Sequence, residues 1–109
     1  MMQDIEANWS PVEQKTAREA FEKAYQREIS ALLEQVRATT NEMAELDELW
    51  TLHDFLSAKR HEIDGKYDYN YQVLLFVFAN LIKDGWLHLE ELQNLEQEKL
   101  AKIAALTRM

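Results

Sequence analysis

The chain has 109 residues, room for one domain or for one small domain with an extended element. Twenty acidic against 12 basic side chains give a formal net charge of -8, which repels phosphate backbones and anionic membrane surfaces and so excludes a nucleic-acid partner. Zero Cys excludes disulfides, cysteine zinc sites and thiol nucleophiles, while two Gly and one Pro leave little material for β-hairpins, so the expected class is all-α.

Met1 to Trp9 shows no periodicity and is expected to fray. No basic start followed by an apolar run appears there, and the longest apolar run, Val73 to Ala79, is too short to span a bilayer, so a soluble product without membrane insertion is expected. Ser10-Pro11-Val12-Glu13 then starts a helix: Ser as N-cap, Pro where its missing N–H costs nothing, and Glu placed to reach back to the cap. Apolar residues recur from there at three- and four-residue steps: Ala17, Phe21, Ala24, Tyr25, Leu32, Val36, then Met43, Leu46 and Trp50. A stripe of that length implies a second helix beside it, and a dimer stalk is the natural form. Thr39-Thr40-Asn41-Glu42 combines poor helix formers with a second Thr-x-x-Glu pattern and is the expected hinge. Both a helical hairpin and one long kinked helix satisfy the stripe.

Leu49 to Asp68 reads as a helix with two unlike faces. Leu49, Leu52, Phe55, Leu56 and Ile63 form an ordinary apolar stripe; nearly opposite stand Trp50, His53, Asp54, Ser57 and His61, with Arg60 at the edge. A solvated back face rarely carries a Trp and two His, so this face reads as an interaction or dimerisation surface. The stripe favours burial of Trp50 against a neighbouring helix. Adjacent helical residues such as His53 and Asp54 point about 100° apart, and no nucleophile setting or phosphate loop accompanies them, so no enzyme is expected. His53 and His61 are too widely spaced for a zinc site built from one helix. Asp54 and Arg60 are poorly placed to pair within one chain, whereas a two-fold interface lets them pair between chains.

Asp64-Gly65-Lys66 is expected to end this helix, with Gly65 in the left-handed stop. Tyr67 to Asn70 is a connector, with Asp68 or Asn70 as the cap of the next helix. Val73 to Ala79 is apolar throughout but has no second strand to pair with, so it reads as a helix continuing to Lys83 and stopping at Asp84-Gly85. On it Phe76 turns away from the main apolar face. A last helix over about Leu89 to Thr107 carries a stripe of Leu92, Leu95, Ile103 and Leu106, with Lys102 beside Ile103. The acidic stretch Glu90 to Glu98 reads as a solvated face, and His88 as a surface or cap residue. The architecture is then one domain, residues 1–109: a stalk over about 10–65, a long helix or helical hairpin forming a homodimer, and a small helical head over about 67–109.

Trp50 and the run HDFLSAKRHEIDGKYD from His53 to Asp68 resemble the signature of the fluorescence recovery proteins of cyanobacteria. The likeness extends to Trp9-Ser10, to KAYQRE at Lys23 to Glu28 and to FVFA at Phe76 to Ala79, and so covers essentially the whole chain. The resemblance implies a helical homodimer with no cofactor. Its implied partner is the C-terminal domain of the red, light-activated orange carotenoid protein, whose return to the orange form and detachment from the phycobilisome it speeds. The implied location is the cytoplasmic face of the thylakoid that bears the phycobilisome. The residues that the resemblance marks for partner binding or the dimer interface are Trp50, His53, Asp54 and Arg60, with Phe76 and Lys102 on the head. Tyr69-Asn70-Tyr71 lies outside the shared pattern, and its added aromatics bear on partner fit or self-association. Without the resemblance, an acidic helical adaptor with no photoreceptor is the competing reading.

Overall fold

A computed structural model describes residues 8–109. Among them lie the helices α1 (Pro11–Asn41), α2 (Leu46–Lys66), α3 (Leu74–Lys83) and α4 (Gln97–Thr107), with a 3-10 helix at Leu89–Leu92. There is no strand among the described residues, and the molecule extends 57 × 31 × 26 Å. Helix α1 alone, 31 residues long, spans about 46 Å.

The start of α1 is the expected capping box. Glu13 N–H donates to the Ser10 hydroxyl at 3.1 Å and Ser10 N–H donates to the Glu13 carboxylate at 2.9 Å. Trp9 does not fray: it is 4% exposed, its ring packs on Tyr71, and its carbonyl accepts from the Gln14 side chain at 2.8 Å. The rest of the stretch expected to fray, apart from Asn8, lies outside the described residues.

The chain folds back on itself. Thr39 and Thr40 stay helical, and the reversal falls at Glu42 to Glu45, slightly later than the expected hinge. The residue that sets it is Glu48. Its carboxylate accepts from the N–H groups of Ala44 and Glu45 at 2.8 and 2.9 Å, tying the free donors at the start of α2 to a side chain of its first turn. The Thr-x-x-Glu pattern of Thr39 and Glu42 is present in sequence, but the helix continues through it to Asn41, and Thr40 turns its hydroxyl back onto the Arg37 carbonyl at 3.0 Å.

Helix α2 returns antiparallel along α1. Gln35, Val36 and Thr39 face Thr51, Leu52 and Phe55 near the hairpin tip, and Tyr25, Ile29 and Leu32 face Leu56, Arg60 and Ile63 nearer the base. Ile63 is buried and Leu52, Phe55 and Leu56 are half-buried, as the stripe requires, but Leu49 remains exposed. Gly65 is an ordinary helical residue rather than a left-handed stop; α2 runs on to Lys66, and among the described residues the positive-φ position is Gly85, at 88°, which ends α3 as expected.

At the base of the hairpin three elements meet on charged groups. Lys66 Nζ donates to Glu28 at 2.9 Å and to Asp84 at 3.3 Å, and the Tyr67 hydroxyl donates to the other Glu28 oxygen at 2.8 Å. Burial works against the charge on Lys66, but the two carboxylates outweigh it and hold its pKa above the ordinary value. Burial and the Glu28 carboxylate push the Tyr67 phenol strongly up.

The C-terminal helices close a core against the first half of α1. Ala17, Ala20 and Ala24 bring that helix close to Leu74, Phe78, Leu81, Leu92 and Ile103, all of which are essentially buried. The last helix is split. Leu92 and Leu95 both enter the core, Glu96 is extended, and its N–H donates to buried Glu13 at 2.8 Å, so α4 starts only at Gln97. A continuous helix from Leu89 would not offer that donor to Glu13. Glu91 also departs from a solvated face: Arg27 grips it with two hydrogen bonds of 2.8 and 2.6 Å. That pairing holds the Glu91 carboxyl down to about 2, against some opposing burial.

Candidate functional site

The six residues marked in the sequence fall into two places. Helix α2 positions Trp50, His53 and Asp54 on its outward side, with Arg60 exposed at the rim of the groove between α2 and α1. Trp50 is 55% exposed, and the His53 ring stands edge-on to it with centroids 6.3 Å apart. His53 Nδ1 lies 3.4 Å from the Asp54 carboxylate, so rotamer choice does bring these adjacent side chains together, through a long and exposed contact of little energy. Arg60 Nε pairs with Asp64 at 3.7 Å, one turn away, and not with Asp54. Exposed Leu46 and Leu49 lie beside Trp50 in sequence on the same helix. The neighbouring helix expected to bury Trp50 is absent from the chain's own fold, because α1 is covered by Leu52, Phe55 and Leu56 instead.

The other two residues share a groove on the C-terminal helices. Phe76 of α3 is 57% exposed, and with Lys102 of α4 it lines an open groove of about 530 Å³ whose walls include Trp9, Tyr71, Leu75 and Lys99. None of the four α2 residues lines it. Lys99 anchors its floor: the ammonium lies 5.0 Å from the Trp9 ring, donates to the Asn8 carbonyl at 2.7 Å and reaches both oxygens of Glu13 at 3.2 and 3.3 Å. Burial favours the neutral form of Glu13, but the N–H groups of Glu96 and Ser10 and the Lys99 ammonium prevail and hold its carboxyl below the usual range.

Trp9, Tyr71 and Lys99 were not legible as groove residues. Trp9 sits ahead of a helix start, Tyr71 in a connector, and Lys99 among acids on a face that reads as solvated. The one local signal was an aromatic residue just before a Ser-Pro cap, which often anchors the incoming chain.

The fold and these surfaces define an all-helical protein that presents its distinctive side chains outward, on an exposed helix face and along an open groove. The chain belongs to the family of the photoprotection regulator fluorescence recovery protein, whose sequence profile matches residues 9–107. It is 52% identical over 109 residues to the fluorescence recovery protein of Synechocystis sp. PCC 6803, covering 100% of both chains. The solved fluorescence recovery protein of Fremyella diplosiphon is 63% identical, with a TM-score of 0.90 over 93% of this chain and 99% of that one. The solved Synechocystis protein gives the same TM-score of 0.90 and the same coverage of 93% and 99%, at 52% identity. Membership places the chain in a regulatory family with a role in recovery from photoprotection. Among the described residues no helix is long and apolar enough to cross a membrane.

Proposed function

We propose that this protein binds the photoactivated, red orange carotenoid protein through that receptor's C-terminal domain, speeds its reversion to the orange form and promotes its detachment from the phycobilisome. The observation that carries the reading is the full-length family match together with the exposure of the marked residues: Trp50 and Phe76, large aromatics left in water, are surfaces awaiting a partner. In this reading no bond is made or broken. The protein binds the transition between red and orange receptor more tightly than it binds the red state, and that difference alone lowers the barrier.

The working form in this reading is a homodimer built on the outward face of α2, with Asp54 and Arg60 of opposite chains in reach of one another. The hairpin and the C-terminal helices act as one unit, at the phycobilisome-bearing cytoplasmic face of the thylakoid, without a cofactor. Support for the dimer comes from exposed Leu46, Leu49 and Trp50, an apolar row that its own chain leaves uncovered.

The test is the dark recovery of photoactivated orange carotenoid protein, followed by visible absorbance with substoichiometric amounts of this chain. Faster return to orange at less than one protein per receptor is the expected result. An unchanged rate with no complex in size-exclusion chromatography defeats the proposal and leaves an acidic helical adaptor in its place.

A further inference from the structure

A row of aromatic rings runs along the first half of α1. Trp9, Tyr71, Tyr69, Phe21, Tyr67 and Tyr25 succeed one another with centroid separations of 5.1, 5.5, 5.0, 5.5 and 5.1 Å. Three of these rings already have a cation of the chain beside them. Lys99 lies 5.0 Å from Trp9, the Arg18 guanidinium 3.9 Å from Tyr69, and Lys66 5.8 Å from Tyr67. Tyr71 has none among the described residues, and neither do Phe21 and Tyr25.

Beside those two rings opens a groove of about 420 Å³ lined by Phe21, Glu22, Tyr25, Gln26 and Tyr67. Tyr67 stands edge-on to both of the other rings, at 88° and 87°, so the groove has walls at right angles and not a flat aromatic plate. Ring faces carry the negative part of the quadrupole and attract a cation placed over them. The exposed Glu22 carboxylate adds an opposite charge at the rim, and the Gln26 side chain adds an acceptor. An acidic side chain would meet repulsion here, and a neutral apolar one would gain nothing from the Glu22 charge.

We propose that this groove receives a cationic side chain, an arginine by preference, presented by a protein partner. Arginine fits better than lysine because its planar guanidinium stacks on a ring and forks onto a carboxylate at once. The chain's own Arg18 shows the first half of that arrangement on the adjoining Tyr69 ring. The site lies outside the six marked residues and adds a contact of stated chemistry to the protein-partner reading on which it rests.

The test titrates Nα-acetyl-arginine amide into the full chain and follows the aromatic ¹H–¹³C spectrum, with Nα-acetyl-citrulline amide as the neutral isostere. Saturable shifts of the Phe21, Tyr25 and Tyr67 rings are expected, with citrulline roughly two- to five-fold weaker, the range set by an exposed cation–π contact. Tyr25→Leu removes an exposed ring and abolishes the shifts at Phe21 and Tyr67, while the Trp9 and Phe78 signals report that the fold persists. Glu22→Gln weakens the arginine probe and leaves citrulline unchanged. Equal shifts with citrulline, shifts confined to Trp9 and Tyr71, or no shifts overturn the proposal. No photoreceptor enters this assay, so its failure is distinct from a failure of the recovery test.

Discussion

The two ends of α1 are covered in opposite ways. Its first half offers Ala17, Ala20 and Ala24, small enough for the 3-10 helix to approach closely, and the core behind them contains Phe78, Leu74 and Leu81 at 0% exposure. Its second half faces α2 across grooves of about 310 and 340 Å³, and Ile63 is the buried residue of α2. Close packing fixes geometry because every side chain loses its alternatives. The loosely covered arm holds its helices side by side but leaves apolar surface for something else to cover. The marked residues follow this division: four ride on the arm, and two border the packed region.

The contrast breaks first at its packed end. Phe78→Ala is expected to cost about 4 kcal/mol of unfolding free energy, read by urea denaturation, because the surrounding core is too well filled to collapse into the space. A loss below about 1 kcal/mol would mean that the core is no tighter than the arm. Next comes the junction. Lys66→Met leaves Glu28, 4% exposed, without its ammonium, and about 3 kcal/mol is expected to be lost, since one partner of a nearly buried pair has been removed. If that variant unfolds like the parent, the base of the hairpin is not held by charge.

A smaller effect comes from acid. The Glu91 carboxyl titrates at about 2 in the fold against an ordinary value of 4.5. The Arg27–Glu91 tie therefore contributes fully above about pH 4.5 and is lost as the pH falls through about 2. Glu91→Gln should flatten the decline of stability across that window, measured by thermal unfolding at stepped pH; an unchanged slope would assign the acid sensitivity elsewhere.

The smallest effect on the fold belongs to the arm. Trp50→Ala should change the unfolding free energy of the isolated chain by about 0.5 kcal/mol or less, because the ring is already in water. Its expected effect is on dilution: sedimentation at decreasing concentration should show dissociation at a higher concentration than for the parent. Asp54→Ala and Arg60→Ala sharpen the same point, and dimers that persist to the parent's dilution would remove the cross-chain pairing.

Much of this protein is local in origin and was legible for that reason. The Ser10 capping box, the helical reading of Val73 to Ala79, the stop at Gly85 and the inward stripe of α2 each arise from residues within one or two turns of each other. The signature around Trp50 to Asp68 carried the family. What sequence alone could not decide depends on residues far apart in the chain. Hairpin and straight rod bury the same stripe, so the reversal is decided by Glu48 capping the start of α2 and by Glu28 meeting Lys66 and Tyr67 across 38 and 39 residues. Trp9 is anchored by Tyr71 and Lys99, the last helix is broken by Glu13 taking the Glu96 N–H across 83 residues, and Glu91 is drawn from solvent by Arg27 across 64. Local propensity fixes which segments are helical because its hydrogen bonds close within four residues. Which polar side chain finds which distant partner has no local signature, and only the packed chain settles it.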